Sequence, residues 1–165
     1  MNLVTGGTGH IGNVLVRELV ESQQPVRVLV LPGEDRSILG GLPVEWAEGD
    51  VLNPDSLTSA MQGIETVYHL AGIVSILPGR NEMVRRVNVD GTRNVIQAAH
   101  AAGVRRLVYT SSIHAFQRLA HGREMDESLP FDPLHAISAY DQSKAEASLS
   151  VLQAARDGLD TVIVA

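Results

Sequence analysis

Short apolar runs alternate along this chain with longer stretches whose apolar residues recur every three or four positions, the spacing of strands and helices respectively. The first run predicts a strand at about Asn2 to Thr5, and Ile11, Leu15, Leu19 and Val20 then mark a helix from about His10 to Gln23. Pro25 restarts the chain as extended backbone, Val26 to Leu31 reads as strand two, and Pro32-Gly33 breaks it. A helical turn near Asp35 to Leu39 leads to strand three at Val44 to Ala47. Asn53 and Pro54 offer a side-chain cap and a proline suited to the first helical position, which predicts a helix from Pro54 to Met61. Thr66 to Ala71 is expected as strand four, Asn81 to Ala102 as one long helix stopped at Gly103, and Arg106 to Thr110 as strand five. After a long loop, Ser138 to Arg156 reads as a helix ended by Gly158, and Thr161 to Val164 as strand six. The alternation predicts an α/β fold: one domain over residues 1–165 with a doubly wound parallel sheet between two helical layers.

Between the first strand and the first helix stands Thr5-Gly6-Gly7-Thr8-Gly9-His10-Ile11-Gly12. A glycine ladder at that junction suits a phosphate. Gly6 can take a tight turn, Gly9 lets a pyrophosphate approach the backbone, and Gly12 lets the helix pack closely on the sheet. The first amides of the helix then face the anion.

Composition narrows the partners. A formal charge of −6 and a pI near 5.4 give no basic footprint for nucleic acid or an acidic membrane, so small molecules or proteins are expected. The absence of cysteine excludes disulfides and thiolate metal sites and is compatible with the cytoplasm, the expected location. No apolar run approaches the roughly 20 residues that cross a bilayer, so no membrane partner is expected. His10, His69 and His114 lack the spacing of a metal set and read as backbone-anchored or pocket-wall residues, so no metal is expected.

Tyr140 and Lys144 lie four apart on the last predicted helix, hence on one face. An ammonium there favours the phenolate and suits Tyr140 to proton transfer. Such pairs are common on solvated helix faces; what changes the reading is the order of the other motifs. Thr5-Gly6, Gly9 and Gly12, then Gly49-Asp50-Val51, His69-Leu70-Ala71-Gly72, Val87-Asn88-Val89-Asp90-Gly91-Thr92, Tyr109-Thr110-Ser111-Ser112 and finally Tyr140 and Lys144 follow one another from Leu3 to Val164. In this order they resemble the extended branch of the short-chain dehydrogenase/reductase superfamily, which includes nucleotide-sugar epimerases and dehydratases and dihydroflavonol reductase-like enzymes.

The resemblance implies a Rossmann-like fold and an NAD(P)-dependent oxidoreductase, epimerase or dehydratase. The reaction would be hydride transfer at a hydroxyl or carbonyl carbon of a small substrate such as a sugar nucleotide. By the same resemblance Ser112, the last of the strand-five serines, would hold the substrate oxygen, Tyr140 would be the acid/base, and Lys144 would also hold the nicotinamide ribose. Cofactor contacts would come from Gly6, Gly9, His10, Ile11, Gly12, Arg36, Asp50, Val51, Leu70, Ala71, Gly72, Asn88 and Lys144. Asp50 suits adenine contact and turn capping equally, and Asn88, a poor helix former in mid-helix, suits a side-chain bond to a neighbouring strand or water.

NAD and NADP both remain open, because Leu31 stands at the end of strand two while Glu34 and Asp35 argue for NAD and Arg36 for NADP. Extended members continue beyond strand six into a substrate lobe, so the chain is expected to be a cofactor domain without that lobe, as a fragment or a minimal form. The apolar stretch Ile73 to Pro78 is expected either to line the cleft or to promote association. The resemblance also implies a homodimer built on the helices near Asn81–Ala102 and Ser138–Arg156. A non-catalytic dinucleotide-binding sensor or scaffold is the competing reading, and an inactive truncated cofactor domain a third.

Overall fold

The computed structural model describes residues 1–74 and 81–165. Six parallel strands, β1 (Asn2–Thr5), β2 (Val26–Val30), β3 (Glu45–Glu48), β4 (Thr66–His69), β5 (Arg106–Thr110) and β6 (Asp160–Val164), form one sheet in the order β3-β2-β1-β4-β5-β6. The strand order reverses between β1 and β4. This is the doubly wound, Rossmann-like arrangement, in which the crevice outside the carboxyl ends of the strands at that reversal is the ligand site.

Strand periodicity divides the core in two. On β1, Leu3 packs with Leu57, Met61, Val95 and Ala99, whereas its neighbour Val4 packs with Val16, Val28 and Leu39. The helices α2 (Pro54–Ala60), α4 (Gly91–Ala101) and α5 (Ala139–Arg156) therefore cover one face, and α1 (His10–Glu21) the other. Val162 and Val164 of β6, whose neighbour Ile163 packs on the α5 side, are exposed on that second face.

Local chemistry sets the helix ends. Asn53 caps α2 by accepting from the amides of Asp55 and Ser56, and Ser138 caps α5 by accepting from Asp141 N. The long helix expected from Asn81 to Ala102 is not continuous: α3 (Asn81–Arg85) passes into a π-helical turn (Arg86–Asp90) before α4. Strand four also stops two residues earlier than expected, at His69. In both places side-chain bonds to the backbone take over from regular structure. Of the apolar stretch Ile73 to Pro78, the residues from Ser75 onward lie outside those described.

Candidate functional site

The glycine loop is fixed by close contacts. Gly6 takes a positive φ of 70°, Gly9 N donates to Gly6 O at 3.1 Å, and a Cβ on Gly12 would lie 2.0 Å from Gly6 O. A Cβ on Gly6 would lie 2.7 Å from Ala71 N, so the loop rests directly on the exit of β4. At Gly9 an added Cβ would meet only Gly6 O, at 3.2 Å, and its outer side is open. Gly9 carries no side chain to cap α1, so the first-turn amides are left without a side-chain acceptor; His10 and Ile11 stand exposed beside them. Gly7, given no role from sequence, is a packing glycine whose Cβ would strike Val28 Cγ1 at 2.6 Å.

The ends of β2 and β3 sort the charged candidates. Glu34 folds back so that one carboxylate oxygen accepts from Leu31 N at 2.8 Å and the other from the Thr8 hydroxyl of the glycine loop. Arg36 instead lies over the Trp46 ring, 5.4 Å from its centroid, and pairs with Glu48. Asp50 caps its own turn by accepting from Leu52 N at 2.9 Å. The side chain of Val51 is buried, with a Cβ on Gly91 due 2.7 Å from its Cγ2, and its carbonyl accepts from Asn94.

Of the catalytic candidates, Lys144 is bonded to the end of β5 and Ser112 follows two residues beyond that strand. Lys144 Nζ is buried and donates to Thr110 O at 2.6 Å and to the Tyr109 hydroxyl at 3.3 Å, standing 4.7 Å from the Tyr109 ring centroid. Burial pushes its pKa down to about 8. Half-buried Tyr140 sits one helical turn ahead, close enough to Tyr109 to contribute to the raised pKa of that phenol, which burial mainly causes. Ser112 Oγ accepts from His114 N at 3.2 Å, leaving its own proton for another acceptor. Ser111, by contrast, is buried and bonded to Ser148 Oγ at 2.6 Å. Gly72 closes the opposite wall: a Cβ there would lie 3.1 Å from Asn88 Oδ1 and 3.9 Å from Lys144 Nζ. Asn88 donates to Ile73 O and Ser143 Oγ and accepts from Ile73 N, tying the β4 exit to α5. Leu70, half-buried, packs toward α1, and the amide of Ala71 donates to Thr5 Oγ1 at 3.1 Å.

Sequence reasoning places His69 in the motif after strand four as a backbone-anchored or pocket-wall residue; its ring is instead held by two side chains. It is fully buried, with Nδ1 2.7 Å from Thr5 Oγ1 and Nε2 3.0 Å from Thr92 Oγ1. The signal was an ionisable ring closing the strand Thr66–His69. Burial first, and the Lys144 charge second, depress its pKa to about 3. The unfolded chain therefore takes up a proton at His69 below about pH 6.5 that the folded chain refuses, and stability falls as pH drops through that window. Between about pH 6.5 and 4.5 the wild-type stability is expected to lose up to about 1.4 kcal/mol per pH unit more than His69→Gln, measured by urea denaturation. Equal slopes would contradict the neutral buried ring.

Among the described residues no cluster of His, Asp or Glu fits a metal ion, and no helix is long and apolar enough to cross a membrane. The family model of the 3-beta hydroxysteroid dehydrogenase/isomerase family matches residues 3–162. Sterol demethylase protein B of Methylococcus capsulatus is 40% identical over 162 residues, covering 98% of this chain and 49% of that protein. An Arabidopsis thaliana 3beta-hydroxysteroid-dehydrogenase/decarboxylase is 37% identical over 176 residues, covering 98% and 40%. The chain thus spans about half, or less, of the length of the curated relatives it matches. A short-chain dehydrogenase/reductase superfamily protein of Agrobacterium tumefaciens, crystallised with NAD, superposes with a TM-score of 0.85 at 31% identity, over 99% of this chain and 48% of that one. The match runs through the glycine loop, the strand reversal and the Lys144 end of β5 alike, and the chain belongs to the 3-beta hydroxysteroid dehydrogenase/isomerase family.

Proposed function

We propose that this chain is the dinucleotide-binding and catalytic half of an NAD-dependent oxidoreductase. Its substrate class would be a secondary alcohol or ketone on a polycyclic, sterol-like ring. The observation that carries the reading is the buried ammonium of Lys144, pinned to the end of β5 one helical turn from Tyr140 and facing Gly72. The steroid name of the family model and the sterol names of the Methylococcus and Arabidopsis relatives support the substrate class over a sugar nucleotide.

A dinucleotide fits the residues present. The uncapped amides at the start of α1 and the open side of Gly9 suit its diphosphate, and Ile11 offers it an apolar contact. Asp50 and Val51 would flank the adenine, while Leu70, Ala71 and Gly72 border the path toward Lys144. Arg36 is engaged by Trp46 and Glu48, and Glu34 is the charge at the end of β2. A ribose 2′-hydroxyl can donate to that carboxylate, whereas a 2′-phosphate would be repelled by it. When bound, the nicotinamide would supply or accept the hydride. Ser112 would donate its proton to the substrate oxygen and orient it. Tyr140 would move a proton to or from that oxygen, and Lys144 would favour the phenolate and hold the ribose through its remaining donor. Asn88 serves by holding the β4 exit against α5.

Titration with NADH, followed by nicotinamide fluorescence, tests the binding half, and oxidation of a 3β-hydroxysterol with NAD tests the chemistry. Binding without turnover is the outcome the scaffold reading requires, and no binding at all would end both. NADH is expected to bind at least about tenfold tighter than NADPH, a ratio narrowed by Glu34→Ala and left unchanged by Arg36→Ala. Tighter NADPH binding, or a ratio that depends on Arg36, would reverse the assignment.

A further inference from the structure

We propose that His69 is a positioning residue that, locked as its Nε2–H tautomer, sets the glycine loop and Lys144 in one register through Thr5 on one side and Thr92 on the other. The inference rests on the functional reading above, and its geometry is independent of any ligand.

Both ends of the network demand the same tautomer. The Asn88 carbonyl can only accept, so Thr92 Oγ1, 2.6 Å away, donates to it and must receive the proton of His69 Nε2 at 3.0 Å. At the other end the Ala71 amide can only donate, so Thr5 Oγ1 accepts from it at 3.1 Å and gives its own proton to His69 Nδ1 at 2.7 Å. Neither threonine has a second proton with which to reverse the order.

Each branch ends on a part of the site. On one side Thr5 immediately precedes Gly6, and Gly6 rests on the same Ala71 backbone that Thr5 holds. The height of the phosphate loop over β4 therefore depends on this bond. On the other side Thr92 holds the Asn88 carbonyl, Asn88 donates to Ser143 Oγ immediately before Lys144, and Tyr109 holds Lys144 both by its hydroxyl and by its ring. The His69 and Tyr109 rings lie 5.7 Å apart, centroid to centroid. A charged imidazolium would oppose the ammonium beyond Tyr109, so only a neutral ring serves here.

The test combines ¹⁵N NMR of histidine-labelled chain with three substitutions. The His69 ring is expected to show a protonated Nε2 and an unprotonated Nδ1, unchanged from about pH 5 to 8. The opposite tautomer, or a titration within that range, would overturn the proposal. His69→Gln retains a donor near the Nε2 position and is expected to leave the Lys144 side-chain resonances close to wild type. His69→Asn retains an acceptor near Nδ1 and should keep NADH affinity within about threefold, while His69→Leu should lose about tenfold and displace the Lys144 signals. A leucine variant matching wild type in both readouts would refute the role, as would glutamine and leucine variants sharing one displaced Lys144 signal. Should the leucine variant not fold, the contrast between Gln and Asn decides the matter. If wild type binds no NADH, the functional reading fails, while the tautomer and Lys144 signals still judge His69.

Discussion

Tyr140→Phe is expected to lower NAD-dependent oxidation of a 3β-hydroxysterol about 10²–10⁴-fold while leaving NADH affinity within about twofold. Phenylalanine keeps the ring in its half-buried place at the start of α5, and among the described residues the tyrosine hydroxyl bonds no protein group. Its loss therefore costs little stability and removes only the proton carrier. The loss should appear in kcat, because in the proposed reaction the phenol would act on a proton that moves in the transition state. Equal rates for variant and wild type would remove Tyr140 from the chemistry.

Lys144→Met is expected to act in two opposite directions, with turnover falling as far as for Tyr140→Phe while the fold becomes more stable at neutral pH. An unfolded lysine keeps its proton to about pH 10.4, whereas the folded chain releases it near pH 8. The folded state thus binds fewer protons between those values, and the cost of burying the charge is fully present below about pH 8. That cost is about 3 kcal/mol, and leaving Thr110 O and the Tyr109 hydroxyl without their donor returns about 1–2 kcal/mol of it. A net gain of about 1–2 kcal/mol at pH 7 in urea denaturation is expected, shrinking as the pH is raised toward 10. A variant less stable than wild type at pH 7 would show that the bonds to β5 outweigh desolvation. The trade-off is that of a site keeping a charge where the fold alone would prefer none.

The strands and most helices were legible because their signals are local. Asn53 and Ser138 cap where a capping residue precedes a helix, and Leu3 and Val4 point to opposite faces as alternation requires. The π-helical turn was not legible, because the apolar spacing of residues 81–102 suits a continuous helix. What breaks it is non-local: Asn88 reaches Ile73 and Ser143, and Gly91 packs on Val51. Arg36 could be named as a candidate from its place after strand two. Its engagement by Trp46 and Glu48 depends on β3 lying alongside β2.

Taken alone, the sequence determined the doubly wound fold, through an alternation that runs the length of the chain, and the glycine loop, which is written within a few neighbouring positions. Tertiary structure decided which hydroxyl of Ser111 and Ser112 is left available, where Glu34 and Arg36 point, and that His69 joins two halves of the site. Those outcomes depend on burial and on bonds between segments far apart in the chain. A lone sequence position carries neither.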